Sequence, residues 1–380
     1  VLNVTATGPT TGGYFTVTPS GVYNALASNL NFGAGETVPN LVVVPVGYAN
    51  GVSIYNSNGE TDIVVDMVGW FDIPAQRVAL DGLVPFGSDV KIDSTSTYAY
   101  VSSQTHNRIE VLRLADGVLE DPILVGSLPM GLDFSPDGSL LYVANRGSSF
   151  VSVVDLGTRT EVRRYPIPSG FASDTPYSIA VLANGKALLT TTFWGYGFGS
   201  YMLEIDLATG VVVPRSDFFH EGRTTEYTSV RASGDRRSAV VVVGDLSSGP
   251  VFRYDTATNT FTEEVNTDTF TSAIATNLDG SVTLVNMGSF VYDEEMRLLG
   301  TVPGCGTLGV AVNAAGTVGY GLLWDHHVFR GFLAVCDLVR FEVTKRIPLG
   351  AVEQVGRMAL SPDGTTLVGI IDTGLVLIRP

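Results

Sequence analysis

The chain has 380 residues, 45% apolar and only 16% charged, a composition that buries a large core and argues against disorder. Its net charge of −16 repels phosphate backbones and argues against nucleic acid as a partner. The longest apolar runs, such as Leu41–Val44 and Ala239–Val243, are strand-length, so no membrane-inserted helix is expected.

The chain opens without Met inside an apolar strand pattern, Val1–Thr7, and is expected to be part of something longer. Residues 1–72 read as a small partial β-sandwich-like module with strands at Leu2–Ala6, Tyr14–Thr18, Ser28–Phe32, Leu41–Val46, Val52–Asn56 and Asp62–Trp70. Gly12-Gly13, Asn50-Gly51 and Asn58-Gly59 supply the turn signals between them. A short linker at 73–75, with Pro74, follows.

From residue 76 onward one phrase recurs: an alternating apolar strand, a four-residue polar turn, and a second apolar strand. The turns are Asp93-Ser94-Thr95-Ser96, Ser135-Pro136-Asp137-Gly138, Ala183-Asn184-Gly185-Lys186, Ala232-Ser233-Gly234-Asp235, Asn277-Leu278-Asp279-Gly280, Asn313-Ala314-Ala315-Gly316 and Ser361-Pro362-Asp363-Gly364. All-strand repeats of roughly 40–50 residues indicate propeller blades. The fold class is therefore all-β, with a seven-bladed β-propeller over 76–380. Only two strands follow the last turn, so blade seven lacks one. Arg77–Val84 is expected to supply it and close the ring. With strands lettered A to D outward from the axis, these turns join A to B and define a bottom face. The B–C and D–A connections then lie on the top. Asp155, Asp206, Asp255 and Asp337 end the C strands, where an Asp accepts backbone N–H bonds in an Asx turn.

Blade two carries a resemblance. LYVANRGSSFVSVVDLGTRTEV, Leu141–Val162, resembles the YVTN-type, lactonase-like seven-bladed propellers, which host enzymes, sensors and surface proteins alike. The phrases VLNVTATGPTTGGYFTVTPSG and VSIYNSNGETDIVVDMVGWF look like the C-terminal portion of a β-rich module that recurs in secreted actinobacterial proteins. That second resemblance implies an extracellular or cell-surface location and a binding or spacer role. The first part of that module is missing here, so its strands are expected from removed upstream chain or, by strand addition, from another copy.

The top-face segments collect the side chains suited to recognition. Trp194, Tyr196 and Phe198 stand in the glycine-rich loop Phe193–Gly199, and Phe218, His220, Arg223, Trp324, Arg330, Arg108 and Arg146 lie in the others. Aromatic faces beside cations suit a carbohydrate or a protein anchor. The credible metal donors are His106, His220, Glu221, Asp325 and one of the adjacent pair His326 and His327, His327 being the one named. No catalytic residue is assigned. No cofactor is expected beyond an optional divalent metal, calcium or a transition metal. Cys305 falls at the top entry to strand A of blade six and Cys336 near the bottom of strand C. A strand spans about 17–20 Å and a disulfide needs Cα atoms within roughly 7 Å, so two free buried thiols are expected.

The reading is a non-catalytic extracellular binding, adhesive or structural protein that uses the propeller's top face. One alternative is a metal-dependent hydrolase or lyase of the propeller lactonase type. The other is a self-assembling surface-layer or filament subunit exchanging strands through the N-terminal module.

Overall fold

A computed structural model describes residues 1–20, 27–44, 51–69, 75–84, 87–168, 175–192, 200–244, 246–267, 273–285, 289–306, 309–325 and 330–380. The chain divides into two compact units. The first is Val1–Ile73 with Trp324–Phe332 and Pro348–Glu353; the second is Pro74–Leu323, Leu333–Ile347 and Gln354–Pro380. Most of the expected linker at 73–75 lies outside the described residues.

The first unit holds β1 (Leu2–Thr7), β2 (Gly13–Pro19), β3 (Leu30–Phe32), β4 (Thr37–Val42), β5 (Val52–Asn56) and β6 (Asp62–Met67). They form two antiparallel sheets, ordered β4-β1-β6 and β3-β2-β5. The fourth strand begins at Thr37, four residues before the expected start, because Thr37–Val42 pairs along the whole of β1. Alternation decides the core: Val4 and Ala6 of β1 meet Phe15 and Val17 of β2 with Leu30, Phe32 and Val42. Strand β6 departs from this pattern, since all six of its residues are exposed although Ile63 and Val65 stand opposite buried Ala6 and Val4.

The second unit is the seven-bladed propeller. Six of its seven antiparallel sheets follow the chain outward from an inner strand A. The A strands are Val90–Ile92, Pro129–Phe134, Thr175–Val181, Ser229–Ala232, Ile274–Thr276, Gly309–Val312 and Val355–Leu360. Blade seven takes its outer strand from β7 (Ala75–Ala79), which pairs antiparallel with Gly374–Ile378. The closing strand thus lies slightly before the expected Arg77–Val84, because the pairing ends where Gly374 opposes Ala79.

The ring closes by packing as well as by pairing. Val90, Ile92, Val101 and Leu112 of blade one share a core with Val368, Ile370, Leu375 and Leu377 of blade seven. Similar layers lie between blades one and two, around Tyr100, Leu132 and Leu141, and between two and three, around Val153, Ile179 and Leu189.

The Ser-Pro-Asp-Gly turns show why the phrase repeats. Ser135 Oγ donates to Asp137 Oδ1 at 2.5 Å and accepts from Leu140 N at 2.9 Å, while Ser139 N donates to Asp137 at 3.1 Å. Gly138 takes φ +72°, the left-handed conformation glycine adopts without a Cβ penalty. These bonds hold the Asp137 carboxyl down at about 2, led by the Ser135 hydroxyl. The Asx turns after strand C form as expected: Thr158 N reaches Asp155 at 2.8 Å, Thr209 N reaches Asp206 at 2.8 Å and Arg340 N reaches Asp337 at 2.8 Å.

The cysteine expectation fails. Cys305 and Cys336 form a disulfide, with Cα atoms 6.1 Å apart. The D–A connection before blade six does not stay on the rim. Cys305 is fully buried with Val302, Ala334 and Leu338 between blades five and six. Its carbonyl lies where a Cβ on Gly321 would stand, so only glycine admits the descending loop.

Candidate functional site

The repeat fixes a register around the axis. Asp93, Ser135, Ser233, Asn277, Asn313 and Ser361 each donate their backbone N–H to the carbonyl five residues on. Blade three is one residue tighter, with Leu182 N bonding Lys186 O. Two residues before these anchors stand Lys91, Asp133, Ala180, Arg231, Ala275, Ala311 and Ala359. Four residues before stand Asp89, Gly131, Ser178, Ser229, Ala273, Gly309 and Arg357. Both sets share one face of strand A, because side chains alternate along a strand.

Six of the first set line an axial cavity of about 340 Å³, with Lys91, Asp133 and Arg231 on one arc and Ala275, Ala311 and Ala359 on the other, while Ala180 is packed in the core with Leu182 and Leu188. Ser94, Pro136, Gly234 and Pro362 at its mouth are turn residues, so it opens on the bottom face. Deeper lies a small chamber of about 20 Å³ lined by Ser229, Arg231, Gly309 and Arg357.

The two carboxylates staple blades together. Asp89 Oδ2 accepts Leu132 N of the next blade at 3.1 Å, and its Oδ1 accepts Arg231 Nη2 at 2.8 Å. Asp133 Oδ2 accepts Val181 N of the next blade at 2.7 Å and Arg236 Nη1 at 3.0 Å, while Lys91 Nζ stands 3.3 Å from Oδ1. Burial alone pushes both carboxyls up. Arg231, Arg357 and Lys91 more than offset it at Asp89, and Arg236 and Lys91 hold Asp133 at about 2. Lys91 is pushed below the usual lysine range, mainly by burial, with Arg231 adding to the shift and Asp133 opposing it. Arg357 donates through Nη2 to Ser229 Oγ at 3.1 Å. Its Nη1 lies 3.4 Å from Asp89 Oδ2, an ion pair without hydrogen-bond alignment.

The expected top-face residues do not form one described surface. Trp194, Tyr196, Phe198, His326 and His327 lie outside the described residues. Trp324, Asp325 and Arg330 are half-buried and belong to the first unit. Phe218 is a correction: it is buried, packed on Phe252 at 4.8 Å and Phe261 at 4.9 Å, because the segment after Pro214 folds back onto blade four. Arg215 ties that segment down, bonding Asp217 at 2.6 Å and the Asn259 carbonyl at 2.6 Å. His220 and Glu221 are exposed at positive φ in the single turn Phe219–Gly222. Arg223 stacks on the Tyr201 ring at 4.2 Å. Arg108 pairs with Glu110 at 2.6 Å and Arg146 with Glu226 at 2.9 Å. His106 Nδ1 lies 3.3 Å from Ser103 Oγ. Among the described residues no three His, Cys, Asp or Glu side chains converge as metal ligands.

The axial set is hidden in the sequence because each member looks like an ordinary strand residue within its own repeat. Aligning the repeats on their turns exposes the signal: charge in blades one, two and four, alanine in three, five, six and seven.

Comparisons with known proteins agree on architecture. The family model for the lactonase, 7-bladed beta-propeller, matches residues 73–163, which spans β7, blade one and most of blade two. Among solved structures, the Kuenenia stuttgartiensis hydrazine synthase is similar at 16% identity and a TM-score of 0.61, over 80% of this chain and 98% of that one. That likeness is one of fold. No curated protein matches the sequence.

Proposed function

We propose that the chain is a non-catalytic recognition protein working outside the cytoplasm, with its ligand seated in the axial cavity of the propeller. One observation carries this reading: an open cavity of about 340 Å³ with charged side chains on one arc and alanines on the other. Pockets that hold small molecules combine such apolar wall with a few converging polar groups. Both carboxylates at this site are held ionised by cations and backbone N–H groups, a poor setting for general acid–base work near neutral pH. The Cys305–Cys336 disulfide supports an oxidising compartment.

The test is a thermal-shift screen of sugars, peptides and small acids on the full chain, with Ala275→Leu alongside to fill the cavity. Compounds that stabilise the parent protein and leave the filled variant unmoved support the reading. Compounds that stabilise both equally place recognition elsewhere and sink it.

Two competing readings have an observation each. Lactonase-type hydrolysis is favoured by the family match over residues 73–163 and by the lowered Lys91; it requires lactone turnover that disappears in Lys91→Met. Self-assembly through the first unit is favoured by the exposed apolar residues Ile63, Val64, Val65 and Met67 of β6; it requires concentration-dependent association that Val64→Lys abolishes in sedimentation.

A further inference from the structure

We infer that the axial cavity is an anion seat: Lys91, Arg231 and Arg236, backed by Arg357, receive a small organic dianion of the dicarboxylate class whose carbon skeleton lies against the alanine arc. The inference rests on the recognition reading above and adds the chemistry of the ligand.

The charge balance is the first argument. Among the described residues, the cavity and the chamber above it hold the cations Lys91, Arg231, Arg236 and Arg357 against the carboxylates Asp89 and Asp133. Two positive charges are left over on the axis of a chain whose net charge is −16. A surplus of one sign away from bulk water is costly, and a mobile counter-anion lowers that cost.

Donor supply is the second argument. The stapling role of each Asp is met by backbone N–H groups and one arginine: Leu132 N and Val90 N with Arg231 at Asp89, and Val181 N with Arg236 at Asp133. Lys91 and Arg357 are additional to that role. Lys91 has three donors and a single carboxylate partner, Asp133 Oδ1 at 3.3 Å. Arg357 is nine-tenths buried, yet its Nη1 makes no hydrogen bond. The spare donors of Lys91 face the cavity, Arg357 lines the small chamber behind it, and Arg231 lines both; donors left over beside such a space are what an oxyanion takes up.

Shape is the third argument. The space exists because Ala275, Ala311 and Ala359 occupy positions where blades one, two and four carry Lys91, Asp133 and Arg231. Val310, Met358 and Leu360 continue that wall. A bare inorganic ion would leave this apolar arc unused, whereas an organic acid covers it.

The test is calorimetric titration of the full chain with succinate, inorganic phosphate and, as a neutral counterpart, succinamide, at one ionic strength set with chloride. Saturable binding of succinate, tighter than that of phosphate and without succinamide binding, is expected; phosphate bound at least as tightly as succinate overturns the organic-acid assignment. Affinity should fall at least tenfold in Lys91→Met and vanish in Ala275→Leu, both variants first shown to melt cooperatively. The comparison of succinate with succinamide needs no variant, so a variant that fails to fold does not remove the test. Equal affinity for succinate and succinamide overturns the anion inference while leaving the cavity as a binding site. Anion binding undiminished in Ala275→Leu overturns both. No saturable binding of succinate overturns the inference.

Discussion

Asp133 shows how one side chain serves both the ring and its axis. It bridges from blade two to Val181 N of blade three at 2.7 Å, and it pairs with both Arg236 and Lys91 at the cavity wall. Replacing it with asparagine keeps the shape and removes the charge. Asp133→Asn is expected to cost roughly 3–5 kcal/mol, because the cations beside it lose a buried partner; a urea titration measures this. The same residue sets a pH dependence. Its folded pKa of about 2 lies below the ordinary 3.8. Its contribution is therefore full above about pH 4 and is lost as pH falls through 2, a loss of roughly 2 kcal/mol. Urea midpoints that hold between pH 6 and 4 and then drop towards pH 2 are expected, with the Asp133-dependent part of the drop missing in Asp133→Asn.

At the scale of elements, the closing strand carries the clearest consequence. β7 covers the edge of Gly374–Ile378, and Gln76 Nε2 also donates to the Asp116 carbonyl of blade one at 2.8 Å. Replacing Ala75–Ala79 with a glycine–serine segment of equal length should leave blade seven with an open edge and loosen its packing on blade one. A broadened transition at lower denaturant is the expected result, whereas an unchanged melting curve would show that core packing alone closes the ring. The D–A connection into blade six makes a second point. Gly321 admits the buried Cys305 loop, so Gly321→Ala should displace that loop and lower the midpoint even with the disulfide intact.

For the whole molecule, the disulfide ties blade six to the connection that enters it, across a separation of 31 residues. Chain-entropy arguments put a link of that length at roughly 3–4 kcal/mol. The double variant Cys305→Ala, Cys336→Ala should lose about that much stability by denaturant titration, and thiol titration of the unreduced parent in denaturant should find none. The molecule also separates its charge by region. The chain carries −16 overall, while the axis keeps a cationic surplus. Small acids reaching the bottom mouth therefore meet attraction only near the wall, and their binding should weaken with added salt.

The all-β class, the seven repeats, the turn chemistry, the Asx turns and the need for a closing strand near residue 77 are legible in the sequence. These rest on local rules: alternation, glycine at positive φ, and short polar side chains that bond their own backbone. Tertiary structure alone decided which residues share a space. Lys91, Asp133, Arg231 and Arg357 come from four separate blades and meet only because the ring closes. Their common feature, a fixed offset from the turn, becomes chemistry only once seven inner strands face one axis. Phe218 and Cys305 show the same limit in reverse. Their place in the chain puts each on a rim, yet each is buried because its connecting segment folds inward, a path fixed by the packing of neighbouring blades.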